Sequence, residues 1–220
     1  KQEKRGGRLH QCRVNAGCRG LWCRAKLRVL HFEASHAMIP IDPASLVTPR
    51  LCLRVPADTD TNGLLALYGN REVMRHWSHP VWTCPAQARA AIAEAQTDRA
   101  RGSALHLVII SRSDDGLAGS CALFDIHPQH RRATLGYLLA SPYWGQGLAG
   151  EAVRALLAYG FDVLDLVRIE AEVIPGNRAS TALLARLGFR CEGLLRARWR
   201  VDGEALDVQL WALLRADRAA

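Results

Sequence analysis

Lysine is missing from most of this 220-residue chain: Lys1, Lys4 and Lys26 are the three present, and every basic residue after Met38 is arginine. Methionine is nearly absent too, with Met38 and Met74 alone. No stretch approaches the ~18 consecutive apolar residues that a membrane-spanning helix needs. Glycine (18) and proline (9) are too few for a collagen-like or low-complexity chain. The seven cysteines contain no C-x-x-C pair, since Cys12, Cys18 and Cys23 have five and four residues between them. His76 and His79 have no third ligand type nearby, so no metal is expected. Single thiols in apolar or turn text (Cys52, Cys84, Cys121, Cys191) fit reduced, buried cysteines and a cytoplasmic protein.

What is present is 49% hydrophobic and 23% charged, a composition for a globular chain with a sizeable core. The net charge of +8 is unevenly placed: residues 1–37 carry nine Lys/Arg against two acids, and the rest carries 20 against 19. The basicity belongs to one end rather than to a patch on the body, so a nucleic-acid partner is not expected. Residues 1–37 read as a basic extension, non-native or disordered, and 38–220 as a single domain starting at Met38. An Arg-rich transit segment with an amphipathic helix over 21–32 is the alternative for the first stretch, and a nucleic-acid-binding arm a further one.

From Met38 onward, strand and helix signals alternate. Strands are predicted at 50–55, 105–110, 117–126, 134–139, 168–174, 190–199 and 205–213, and helices at 58–68, 85–101, 148–163 and 177–187. Ser113-Asp114-Asp115-Gly116 and Val201-Asp202-Gly203-Glu204 read as hairpin turns, which makes part of the sheet antiparallel. This is a mixed α/β (α+β) chain without internal repeats.

The most informative stretch is Tyr143 to Ala152, YWGQGLAGEA. A strand ends, small residues allow a tight turn, and a helix begins with its free N–H groups facing outward, an arrangement that binds phosphate. It is not a P-loop, because no Gly-Lys-Ser/Thr follows, and the flanking hairpins do not suit a dinucleotide-binding βαβ unit.

Taken together, TLGYLL (134–139), YWGQGLAGEA, RIEAEVIPGN (168–177), NRASTALLARLGF (177–189) and EGLLR (192–196) resemble the GNAT superfamily of N-acetyltransferases, in particular the RimJ/RimL type that acetylates ribosomal proteins. The resemblance spans Leu46 to about Leu214. It implies a mixed, mostly antiparallel sheet of six to seven strands with helices on both faces and a splayed central strand pair. It implies acetyl-CoA as co-substrate, with the pyrophosphate at Trp144, Gln146, Gly147, Leu148, Ala149 and Gly150. The pantetheine arm would pair with backbone at Leu138, Leu139 and Ala140, and Asn177 and Ser180 would meet the cofactor from the next helix.

Acetyl transfer to an amine needs a base for the ammonium, polarisation of the thioester carbonyl, and a proton for the departing thiolate. The family's tyrosine acid falls on Leu184 here, which leaves Ser180 as the hydroxyl nearest the sulfur. Candidate carboxylate bases are Glu192 and Asp207, with Glu170 and Glu172 sharing one face of their strand; the family's own carboxylate position is Trp199. The aromatic segment at 70–86 is expected to cover the acceptor, a peptide N-terminus or a small primary amine. The expected activity is direct acetyl transfer from acetyl-CoA to that amine, and a homodimer is the expected assembly if one forms. A module that binds acyl-CoA without turnover is the alternative.

Overall fold

The computed structural model describes residues 45–218. The domain boundary expected at residue 37, the amphipathic segment at 21–32 and the three early cysteines lie outside the described residues. The elements are β1 (Leu46–Val47), β2 (Leu51–Arg54), α1 (Thr61–Tyr68), α2 (Arg71–Met74), α3 (Pro85–Arg101), β3 (Leu105–Ser111), β4 (Leu117–His127), β5 (Arg132–Leu139), α4 (Leu148–Asp162), β6 (Arg168–Val173), α5 (Arg178–Arg186), β7 (Arg190–Val201) and β8 (Glu204–Leu214). All seven predicted strands form. The sheet has eight, in the order β1-β2-β3-β4-β5-β6-β8-β7, one more than the upper expectation. The additional strand is β1, whose two residues are too few for an alternation to show in sequence. The four-residue α2 is likewise too short for a helical period to show; Asn70 caps it, its side chain accepting from the N–H groups of Glu72 and Val73.

Alternation along each strand divides the interior into layers. In β3, Leu105, Leu107 and Ile109 enter the larger core with Val153, Leu156 and Phe161 of α4. Val108 points the other way, onto Leu64 of α1 and Ala88 and Ile92 of α3. A strand covered by helices on both faces reads as a continuous apolar run, which is what LHLVII is.

Seven strand pairs hold the sheet and six of them are antiparallel; β5 and β6 are the parallel one. Their pairing is brief. Arg132, Ala133 and Thr134 match Arg168, Ile169 and Glu170, and there it stops. Beyond Thr134, β5 stays bonded to β4 as far as Leu139, and beyond Glu170, β6 stays bonded to β8 as far as Val173. The two strands therefore part while each remains anchored on its outer side. The connection between them runs through α4, which packs on β4 and β5 and leaves its N-terminus at the mouth of the gap.

Candidate active site

Parting β5 from β6 exposes backbone groups that a sheet would normally pair, and the resulting cleft has a volume of about 730 Å³. Strand geometry decides which groups face it. The Ala140 N–H bonds the Ala118 carbonyl on β4, so Ala140 and Leu138 direct their backbone toward β4, and Tyr137 and Leu139 direct theirs toward the gap. The Leu139 carbonyl is occupied by the Trp144 indole N–H at 2.7 Å, and the Ala140 carbonyl by the Tyr143 N–H. Of the backbone expected at 138–140, the N–H of Leu139 is thus placed to meet an extended ligand, joined by both backbone groups of Tyr137.

The turn ahead of α4 is built on two left-handed glycines, Gly145 (φ 74°) and Gly147 (φ 75°). Gly147 is the helix N-cap, and no side chain caps α4. The N–H groups of Leu148, Ala149 and Gly150 are accordingly open at the positive end of a 15-residue helix. Gln146 also has a part within the turn that leaves its backbone N–H untouched. Its side chain donates to the Pro142 carbonyl and its own carbonyl accepts from Arg50, so it braces the turn from within. A residue missed in the sequence is Arg154, which lines the cleft with its guanidinium 3.6 Å from where a Cβ on Gly150 would stand. Among the described residues it has no carboxylate partner, and a cation beside an open helix N-terminus adds to the attraction for phosphate.

On the facing side, Asn177 caps α5 by accepting from the Ser180 N–H at 3.2 Å, and both residues line the cleft. The Ser180 hydroxyl lies 2.6 Å from the phenol of Tyr137. Leu184, at the position of the family tyrosine, is fully buried in the main core. Burial raises the Tyr137 pKa, the bond to Ser180 opposing it.

The expected carboxylates separate. Glu192 is held by both terminal nitrogens of Arg168, one of them 2.5 Å away, and is not among the residues lining the cleft. The Arg168 guanidinium keeps its pKa below the usual carboxylate range. Asp207 accepts the N–H of Ala197 at 2.8 Å, where β7 slips register and Ala197 takes φ 51°; it supports a bulge and does not line the cleft either. Glu170 is engaged by Arg132 and Arg168. Glu172 is the carboxylate of this group that reaches the cleft. Its Oε2 accepts the Trp199 indole N–H at 2.7 Å, and its Oε1 accepts from Arg198. The tryptophan of β7 at that position therefore holds a carboxylate supplied by β6, across the intervening β8.

The aromatic segment between α1 and α3 covers the other face. Trp82 stacks on Tyr68, with ring centroids 4.3 Å apart, and Trp77 donates its indole N–H to His79 Nε2 at 2.8 Å. Burial lowers the His79 pKa. Beneath these rings lies a second cavity of about 340 Å³, and Trp77 and Gly136 line both it and the cleft. Among the described residues no group of three or more His, Cys, Asp or Glu side chains is placed to hold a metal ion.

A parallel strand pair opening beside an uncapped helix N-terminus, with hydroxyl and carboxylate groups along the gap, defines a group-transfer enzyme whose donor is long and phosphate-bearing. The chain belongs to the acetyltransferase (GNAT) domain family, whose match covers residues 50–190. It is 37% identical to the uncharacterized N-acetyltransferase p20 of Bacillus licheniformis, over 80% of this chain and 98% of that protein. It is 29% identical to the ribosomal protein uS5-alanine N-acetyltransferase of Escherichia coli, over 78% of this chain and 91% of that protein, in keeping with the RimJ/RimL resemblance. The structure of a GNAT-family acetyltransferase from Bacillus anthracis superposes with a TM-score of 0.69, covering 77% of this chain and 98% of that one at 23% identity, and shows the same fold. The protein is an acyltransferase that moves an acetyl group from acetyl-CoA to an amine.

Proposed function

We propose that this enzyme acetylates the α-amine of a peptide or protein chain, with Glu172 as base. The observation that carries the reading is the meeting of Glu172, Tyr137 and Ser180 in one cleft whose mouth holds the open N-terminus of α4. The N–H groups of Leu148, Ala149 and Gly150, with Arg154, take the phosphates of acetyl-CoA; both backbone groups of Tyr137, the N–H of Leu139 and the side chain of Asn177 take the pantetheine arm. Glu172, its orientation set by Trp199 and Arg198, receives the proton of the incoming ammonium directly or through one water. Trp77, His79 and Trp82 offer a largely apolar wall for the side chain behind the amine, and the uS5-alanine relative acts on a protein alanine. A small primary amine is the second acceptor class.

The four described cysteines are all free, which supports a cytoplasmic setting, and among the described residues no helix is long and apolar enough to cross a membrane. The edge strand β7, with Leu194 exposed, is where we place a homodimer contact.

The test is thiol release from acetyl-CoA by the full chain, offered peptides beginning with Ala, Ser or Met, spermidine, and simple primary amines. Turnover with the peptides is expected. Turnover restricted to spermidine overturns the acceptor class. Thermal stabilisation by acetyl-CoA without thiol release from any acceptor overturns the enzyme reading in favour of a binding module.

A further inference from the structure

We propose that Tyr137 and Ser180 work as a hydroxyl pair that delivers one proton to the departing CoA thiolate, with Ser180 facing the sulfur and Tyr137 positioning it. The inference rests on the acetyl-CoA reading of the cleft and goes beyond it in naming Tyr137.

Hydrogen counting leads to the pair. The two oxygens stand 2.6 Å apart, a separation that one O–H between them accounts for. Two hydroxyls carry two hydrogens, so one is left over. The phenol is the stronger donor and has the Ser180 carbonyl 3.5 Å away as a weak second acceptor. With Tyr137 donating, the remaining hydrogen belongs to Ser180. Tyr137 is the one hydrogen-bond partner of the Ser180 hydroxyl among the described residues, and both residues line the cleft. Burial keeps the phenol protonated at neutral pH and so able to donate. The two residues come from β5 and α5, on opposite sides of the opening. The arrangement supplies from the facing strand the hydroxyl that Leu184, buried in the core, does not.

The step balances as follows. The amine nitrogen bonds the acetyl carbon, the C–S bond breaks, and its electron pair goes to sulfur. The Ser180 hydrogen passes to sulfur and the Tyr137 hydrogen to the Ser180 oxygen. The nitrogen gives up two protons in all, one as the ammonium and one as the amide forms; solvent returns one of them to Tyr137 and takes up the other, and the products are the amide, the free thiol and one proton.

A titration of the thiol of CoA bound to the protein, followed by thiolate absorbance in the ultraviolet, tests this without an acceptor. A hydrogen bond to the charged form favours it, so bound to the wild type the thiol should ionise about one pH unit below free CoA. Tyr137→Phe and Ser180→Ala should each lose most of that shift while keeping CoA affinity within about twofold, and the double variant should lose no more than either alone. Where an acceptor turns over, kcat should fall in both variants with the KM for acetyl-CoA unchanged. An equal thiol pKa in wild type and Tyr137→Phe overturns the pair. Should Tyr137→Phe fold poorly, Ser180→Ala, which removes one part-buried hydroxyl from the cleft face of α5, gives the same reading. Absence of CoA binding by the wild type would instead overturn the acetyl-CoA reading, and this proposal with it.

Discussion

The guanidinium of Arg50, just ahead of β2, bonds Glu151 Oε2 through Nε at 2.6 Å, in the first turn of α4. The same Arg50 donates through Nη1 to the Gln146 carbonyl at 2.9 Å, so one side chain spans the glycine turn from its start to the helix it opens. Glu151 also accepts from the Thr48 hydroxyl at 2.6 Å and the Arg50 N–H at 2.9 Å. The β1–β2 end of the sheet and the glycine turn ahead of α4 are one hydrogen-bonded unit.

Loosening that unit should weaken the fold and donor binding together. Burial alone would raise the Glu151 pKa, but the bonds from Thr48 and Arg50 outweigh it and the pKa is lowered. A lowered carboxylate pKa contributes stability above the unfolded value of about 4.3, and loses it as pH falls through the folded value. Glu151→Gln should therefore be less stable than wild type by roughly 1–2 kcal/mol at pH 7. The two should converge in acid, once the pH has fallen below the lowered folded value. Arg50→Ala should raise the Kd for acetyl-CoA about threefold to tenfold, the equivalent of one hydrogen bond. Denaturant melts across pH and calorimetric titrations check both.

Gly145 and Gly147 share a left-handed φ, so alanine at either should cost about 1–2 kcal/mol of stability. They differ in place. A Cβ on Gly145 meets nothing within 4 Å, whereas Gly147 is the N-cap directly beneath the open N–H groups. Gly147→Ala should lower acetyl-CoA affinity by more than tenfold, with Gly145→Ala within threefold. Equal losses in the two would show that backbone strain, not crowding of the phosphates, governs the turn.

These glycines were legible from sequence because their signal is local: small residues between a strand and a helix. The seven longer strands were legible for the same reason, since burial alternates along RIEAEV and the doubly covered LHLVII is a continuous apolar run. The site's chemistry was not. Tyr137 lies inside TLGYLL and reads as one more core residue, and its partner Ser180 is 43 positions away. Glu172 and Trp199 are 27 apart and meet because β6 and β7 both pair with β8. Glu192 stood out by its motif, yet the register of β7 sets it on Arg168. Contacts fixed by register between distant strands leave no spacing in the chain to read.

That separation of carboxylates makes the base assignment testable. Glu172→Gln keeps the shape and the bond from Trp199 but removes the charge, and should lower kcat by about a hundredfold or more, with acetyl-CoA affinity within twofold. Glu192→Gln should leave kcat within about threefold and act on the hold over Arg168. Asp207→Asn should act on the β7 bulge in the same structural way. The reverse pattern, a large kcat loss for Glu192→Gln and a small one for Glu172→Gln, would return the base to β7.

Acceptor choice should depend on the wall between the two cavities. A Cβ on Gly136 would stand 3.3 Å from Phe124 Cε1 and 3.7 Å from the Trp77 ring, so glycine at this strand position leaves room for the indole. Gly136→Val would push Trp77 toward the cleft and narrow the space for a side chain behind the amine, while the phosphate turn, on the far side of β5, keeps its geometry. The KM for a peptide with a bulky first residue should rise at least tenfold, that for a glycine-start peptide should change by less than threefold, and the Kd for acetyl-CoA should hold. Trp77→Ala joins the two cavities and should act in the opposite sense, improving the bulky peptide relative to the small one. If both variants changed all acceptors alike, the amine would enter by a route that does not pass Trp77.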